Sequence, residues 1–321
     1  MKNLKRLYPD NPLVLLCRSG LGDFFLDKKL VDEVFEVGKK PATNWAGVRK
    51  DLGKRKFKFV VSPHQSFRTA WFVSRLKAEK KIGYKKWWNS FAFDLRIFRP
   101  MNLPEVLRQM ALIRHLDGAI DQELNRSEDL NWADPANSPA VPYLFSLQFE
   151  ADIKNREKII YLSPGSEWPT KRWREDGFVK IGKYYRAKGY FVAVTGTSAE
   201  KELNAKISSQ IDGARDFTGK TTITELYEKF RKGTLLITND NGASHIASCA
   251  GLPVIAVFGP TMTSFGYRPW IDKARIAQAD VSCRPCSAHG TEKCPLGTHE
   301  CMKKVSSEHI VQKADELGVF T

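Results

Sequence analysis

A chain of 321 residues, 42% hydrophobic and 27% charged, is long enough for two α/β domains with separate cores and excludes a disordered or fibrous polypeptide. Its apolar runs are strand-sized, which excludes a membrane-spanning helix. The formal net charge is +15, and residues 1–118 carry 25 Lys and Arg against 11 Asp and Glu, while residues 119–321 carry 26 against 25.

That basic first third suits a polyanionic partner, whether nucleic acid, anionic lipid or a phosphorylated sugar; the plainer reading is a solvated surface. Lys2, Lys5 and Arg6 open the chain, but Asp10 and Pro12 interrupt before any apolar stretch. Residues 13–17 are too few for the core of a secretory signal, so the cytoplasm is the expected compartment.

In chain order, residues 13–17 read as a buried parallel strand broken by Gly20 and Gly22. A second β-rich run covers 57–62. Residues 67–77 have helical spacing, 81–84 form a short strand, and 105–116 a helix that Pro104 introduces. Residues 119–157 are polar and bear Pro135, Pro139 and Pro142, so the domain boundary is expected there, with domains over 1–150 and 151–321. The second half alternates cleanly. Strands are predicted at 159–163, 191–195, 235–238 and 253–258, and helices at 174–187, 199–211, 224–231, 243–250 and 306–317, the last able to fold back on the first domain. Such alternation implies parallel sheets covered on both faces. Ligands of these sheets bind beyond the carboxyl ends of the strands.

Three strand-end loops therefore matter. Residues 163–173 join Gly165, which lets backbone come close to a ligand, to the hydroxyl of Ser166 and the cations Lys171 and Arg172, just before a helix. That combination suits phosphate; otherwise Trp168 and Trp173 merely cover a core. Residues 238–245 deliver Asp240, Asn241, Gly242 and His245 to a strand end and a helix start, another place for a diphosphate. Their bland reading is a helix cap at Asp240 and a satisfied histidine. Residues 18–23 hold Gly20, Gly22 and Asp23, but lack the third glycine of a dinucleotide fingerprint.

Together these loops resemble glycosyltransferase family 9, the heptosyltransferases of the lipopolysaccharide core. The resemblance rests on Gly22-Asp23, on Pro164-Gly165-Ser166 through Lys171-Arg172-Trp173, and on Thr218-Gly219. It continues through residues 240–245, Ala250-Gly251-Leu252-Pro253, Phe258-Gly259-Pro260-Thr261 and the tail from Cys283 to Met302. It implies a GT-B architecture: two Rossmann-like domains facing across a cleft, the donor held mostly by the C-terminal one. It further implies inverting transfer of a sugar from ADP-heptose to an anionic glycolipid acceptor, with Asp23 as general base and no cofactor or metal needed for catalysis. Lys171 and Ser166 would hold the diphosphate. Asp240, Asn241, Gly242 and His245 would line the donor pocket, and Glu200 would stand near the adenosine ribose. Asn241 replaces the family's usual threonine. The N-terminal domain is expected to be shortened, because Asp23 runs almost at once into residues 30–37, which look like a later family segment.

The cations Arg68, Arg75, Lys77, Lys80, Lys81, Lys85 and Lys86, beside Trp87 and Trp88, could meet the inner membrane surface or a phosphorylated glycolipid. Cys283, Cys286, Cys294 and Cys301 form a candidate structural zinc site; reduced thiols or a labile disulfide are the alternatives. Cys17 and Cys249 read as small core residues. Nucleic acid is not the expected partner, since no helix-turn-helix, finger or RNP pattern accompanies the charge. A different enzyme of the same architecture, or a catalytically impaired GT-B descendant that binds nucleotide or glycan without transfer, also fits the fold.

Overall fold

The first unit, Met1–Leu130, is built on five short parallel strands, and the second, Asn131–Thr321, on six. The computed structural model describes residues 1–38, 44–132, 141 and 155–320. Most of the expected inter-domain stretch, including Pro135, Pro139 and Pro142, lies outside the described residues. Its first part is helical (Gly118–Glu128), capped by Asp117, whose carboxylate accepts from the Ala119 N–H at 2.9 Å. No helix among the described residues is long and apolar enough to cross a membrane.

Unit 1 runs α1 (Lys2–Leu7), β1 (Val14–Arg18), α2 (Gly22–Asp27), β2 (Glu33–Val37), α3 (Trp45–Gly53), β3 (Lys56–Ser62), α4 (Phe67–Ser74), β4 (Lys77–Tyr84), β5 (Leu95–Ile97), α5 (Glu105–Ala111) and α6 (Gly118–Glu128). Strands β1 and β2 pair in parallel, as do β3, β4 and β5. The β1–β2 crossover is only residues 19–32 and holds just the six-residue α2, close to the least that a parallel crossover needs. The predicted helix over 67–77 stops at Ser74, and β4 begins at Lys77, earlier than its apolar residues suggest. The first half of the strand is polar, with Lys77, Glu79 and Lys80 exposed, while Ile82 to Tyr84 are buried, so only its second half shows as an apolar run.

Unit 2 runs β6 (Ile159–Ser163), α7 (Glu175–Ala187), β7 (Phe191–Val194), α8 (Lys201–Ser208), β8 (Arg215–Asp216), α9 (Ile223–Lys232), β9 (Leu235–Asn239), α10 (Gly242–Cys249), β10 (Val254–Phe258), β11 (Ala274–Gln278), α11 (Glu300–Lys303) and α12 (Ser307–Asp315). The sheet order is β11-β10-β9-β6-β7-β8, every neighbour parallel. Leu235, Leu236, Ile237 and Val254 to Val257 show no exposed surface. Side chains on both faces of these strands are buried, as a sheet covered by helices on both sides requires. Each such aliphatic side chain contributes roughly 1.5–3 kcal/mol of transfer free energy. Helix α9 is fixed by a capping box: the Thr222 hydroxyl accepts from the Glu225 N–H at 3.1 Å, and the Glu225 carboxylate from the Thr222 N–H at 2.8 Å. The C-terminal helix α12 buries Ile310 and Ala314 in the unit 2 core beside Cys301, Met302 and Val305.

Candidate functional site

The chain enters the unit 2 sheet at its middle. From β6 it winds outward through β7 and β8, then returns to the other flank for β9, β10 and β11. Where such winding reverses, two neighbouring strands send their following loops apart, and a crevice opens beyond their carboxyl ends. Here those neighbours are β6 and β9, and Ser163 stands opposite Thr238 in register. The loops that follow are 164–173 and 240–245, which carry most of the residues singled out from the sequence.

Two asparagines stitch these loops together. Asn239, fully buried at the end of β9, donates to the Pro164 carbonyl at 2.5 Å and accepts from the Trp173 N–H at 2.9 Å, gripping both ends of the 164–173 loop. Asn241 caps α10: its Oδ1 accepts from the Ala243 N–H at 3.0 Å, while its Nδ2 donates to the Gly165 carbonyl at 2.8 Å and to Ser163 Oγ at 3.2 Å. The cap is thus Asn241, not Asp240. Sequence reasoning passed over Asn239; its signal was a polar residue closing an apolar strand.

Asp240 is left for Lys171. Lys171 Nζ lies 2.5 Å from Asp240 Oδ2, the two side chains 13% and 10% exposed, and the Thr261 hydroxyl donates to the same oxygen at 2.9 Å. Arg172 takes no part in the pair; its guanidinium donates twice to the Ser166 carbonyl, at 3.0 and 2.9 Å, and closes the loop on itself. The 3-10 turn Pro169–Lys171 is clasped from behind. Thr170 donates its N–H and hydroxyl to the Thr291 carbonyl at 3.3 and 2.7 Å, its hydroxyl accepts from the Thr291 N–H at 2.9 Å, and His299 Nε2 lies 2.8 Å from the Thr170 carbonyl.

The two helix starts near this point differ in charge. The first turn of α7 carries Glu175 and Asp176, so its partial positive charge is already complemented. The first turn of α10 has no acidic residue, and a Cβ on Gly242 would meet no described atom within 4 Å. No side chain caps the start of α7, whereas at α10 Asn241 takes the Ala243 N–H and the space beside Gly242 is open. At Gly165 a Cβ would overlap the Glu200 carboxylate, so the missing side chain makes room for Glu200. Glu200 in turn accepts from the Thr197 N–H at 2.6 Å in a capping box. His245 keeps solvent contact, yet the protein crowded around it pushes its imidazole below the ordinary range, with Asp240 opposing and Lys171 adding to that shift.

In unit 1 the glycine loop after β1 is occupied. The Glu36 carboxylate accepts from the Gly22 N–H at 2.7 Å and the Gly20 N–H at 3.1 Å, and these bonds hold it below the usual carboxylate range. Gly20 sits at φ +89°, a conformation open to glycine. Asp23 lies exposed in the first turn of α2.

The zinc expectation is corrected. Among the described residues no group of three or more His, Cys, Asp or Glu side chains is disposed to hold a metal ion. Two of the four thiols meet nearby backbone and a third lies in the core. Cys286 Sγ lies 3.7 Å from the Cys283 carbonyl, Cys294 Sγ accepts from the His299 N–H at 3.4 Å, and Cys301 is buried in the core. Burial raises the Cys286 and Cys301 thiols, while the N–H groups of residues 296–299, His299 first, lower Cys294.

The sequence profile of glycosyltransferase family 9 (heptosyltransferase) matches residues 45–296. Lipooligosaccharide heptosyltransferase 2 of Campylobacter jejuni is 30% identical over 184 residues, covering 56% of this chain and 57% of that protein. Lipopolysaccharide heptosyltransferase 2 of Escherichia coli K12 is 25% identical over 230 residues, 70% of this chain and 64% of that protein. The chain thus spans little more than half the length of these curated relatives. Two solved structures share the fold: E. coli ADP-heptose lps heptosyltransferase II, with TM-score 0.70, 19% identity and coverage of 98% of this chain and 92% of that one, and the family 9 glycosyl transferase of Veillonella parvula, with TM-score 0.73, 19% identity and coverage of 98% and 91%. A parallel-stranded α/β chain of GT-B type, matched along most of its length by the family's profile, belongs to glycosyltransferase family 9, the heptosyltransferases.

Proposed function

We propose that this protein is an inverting glycosyltransferase of lipopolysaccharide core assembly, moving heptose from ADP-heptose to an anionic glycolipid. The observation that carries the reading is the pairing of Lys171 with Asp240 at the reversal of the unit 2 sheet, beside the open start of α10. As the anomeric C–O bond breaks, charge gathers on the departing diphosphate, and a fixed cation with the partial positive charge of the α10 start steadies it. Asp240 and Thr261 hold Lys171 in place before the donor arrives. On donor binding the ammonium is shared between Asp240 and the diphosphate. Gly242, Ser166 and His245 line the donor, with Glu200 at its ribose end. Asn241 acts through the cap it forms. Domains over 1–150 and 151–321 divide the labour between acceptor and donor.

Asp23 supplies the base. Its support is family position and an exposed carboxylate at a strand end, open to an acceptor hydroxyl whose proton it takes during attack. The reaction needs no metal in this scheme and takes place in the cytoplasm, on the inner face of the membrane. The short β1–β2 crossover favours one competing reading, a descendant that binds donor without transfer.

Titration with ADP by calorimetry, followed by ADP-heptose turnover read as released ADP, separates the two. Lys171→Ala should weaken ADP binding by about 10- to 100-fold, the worth of one charge-assisted contact. Unchanged affinity in that variant would remove the donor site. Donor binding without ADP release in the presence of acceptor would leave the non-transferring descendant.

A further inference from the structure

Unit 1 carries a surface that the transfer chemistry does not use. On α4, Ala70, Phe72 and Val73 face the core, which turns Phe67 and Trp71, one helical turn apart, outward. They are 61% and 49% exposed. The segment after β4 adds to them. The Trp88 and Phe91 rings lie 5.6 and 6.0 Å from that of Phe67, which stacks on Trp71 at 6.4 Å. Trp87 is 91% exposed and Phe98 75%. Apolar exposure gathered in one region marks an interaction surface.

Cations edge the same region. The Arg75 guanidinium lies 3.5 Å over the Trp71 ring and Lys85 Nζ 4.4 Å over Phe98. Arg68, Lys77, Lys80 and Lys86 are exposed. Residues 67–99 hold nine Lys and Arg against Glu79 and Asp94 alone, and Asp94 already accepts from the Lys81 N–H at 2.8 Å.

The chemistry of the occupant follows from how the rings are used. Single-stranded nucleic acid needs free aromatic faces for its bases, but Phe67 stacks on Trp71 and Arg75 covers Trp71. A lipid surface asks for something else: apolar rings that enter the headgroup layer and cations that meet lipid phosphates. We propose that this face of unit 1 seats the protein on an anionic bilayer, with Phe67, Trp71, Trp87 and Phe98 entering the interface and Arg68, Lys85 and Lys86 meeting lipid phosphates. The seat needs neither donor nor acceptor, so it stands apart from the transfer reading.

Flotation of the full chain with phosphatidylcholine vesicles, with and without phosphatidylglycerol, tests it. Binding should require phosphatidylglycerol. Each cation near an anionic surface is worth roughly fivefold in partitioning, so the double charge reversal Lys85→Glu, Lys86→Glu should cut binding by at least about tenfold. Trp87→Ser and Phe67→Ser should remove the binding that survives high salt, where charge attraction is screened. ADP affinity should be unchanged in all of these variants, which reports an intact unit 2. Equal binding to neutral vesicles, wild-type partitioning by the variants, or tighter binding to a single-stranded oligonucleotide than to the vesicles would overturn the proposal. Failure of wild-type ADP binding would strike the donor site instead and leave the vesicle result standing.

Discussion

Each unit places a glycine-bearing turn after its first parallel strand, and the two turns are finished with opposite chemistry. In unit 1 the N–H groups of Gly20 and Gly22 donate to a protein carboxylate, Glu36, delivered by the neighbouring β2. In unit 2 the loop after β6 is held by neutral amides from β9 and the turn after it, Asn239 and Asn241, and its ammonium group is paired with Asp240. A carboxylate seated on glycine N–H groups does what a phosphate would do there, so the first turn is filled from within. Neutral amides satisfy backbone without supplying charge, and the first turn of α10 carries no acidic side chain. A glycine turn is thus an anion site only where no side chain reaches its N–H groups first.

That contrast can be broken in three places. The largest effect is expected at Asp23, which sits beside the filled turn but is assigned the proton transfer. Asp23→Asn should lower turnover by about a hundredfold or more with ADP affinity intact, measured by released ADP and calorimetry; normal turnover would move the base elsewhere. Next comes Asn239→Ala, which strands a buried carbonyl and a buried N–H at once. It should cost on the order of 2–4 kcal/mol in urea unfolding and weaken ADP binding as the 164–173 loop loosens. A variant as stable as the parent would show that the loop holds itself.

The smallest effect is at Glu36. Its carboxyl is held below the ordinary value of 4.5 by the Gly22 and Gly20 N–H groups. The stabilisation is therefore present above that pH and is lost as acid protonates the folded carboxylate. Glu36→Gln should melt slightly below the parent near neutrality, with the gap closing on acidification below about pH 4. A gap that persists in acid would mean that the charge on Glu36 is not what matters.

Legibility followed the range of the interactions. Strands such as Ile159–Ser163 and Val254–Phe258 lay open in the sequence because unbroken apolar runs have one stable home, a sheet covered on both faces. The helix expected over 224–231 lay open too, and its cap is local: Thr222 and its partner Glu225 are three residues apart. β2 and β11 were missed as strands, their short runs carrying Glu33, Glu36 and Arg275. α6 was hidden for a related reason, a polar helix with few apolar residues to set a period.

From the residues alone came the α/β class, the alternation of the second half and the loops able to hold a diphosphate, all matters of local pattern. Only the tertiary structure decided how those loops are used. Asn239 meets Pro164 from 75 residues away, Asn241 rather than Asp240 caps α10, Glu36 fills the first turn, the Cys286 and Cys294 thiols meet nearby backbone, and no metal-holding group forms among the described residues. A hydrogen bond is directional and short. Its partner is fixed by which strand lies alongside, which the order of residues along the chain does not specify.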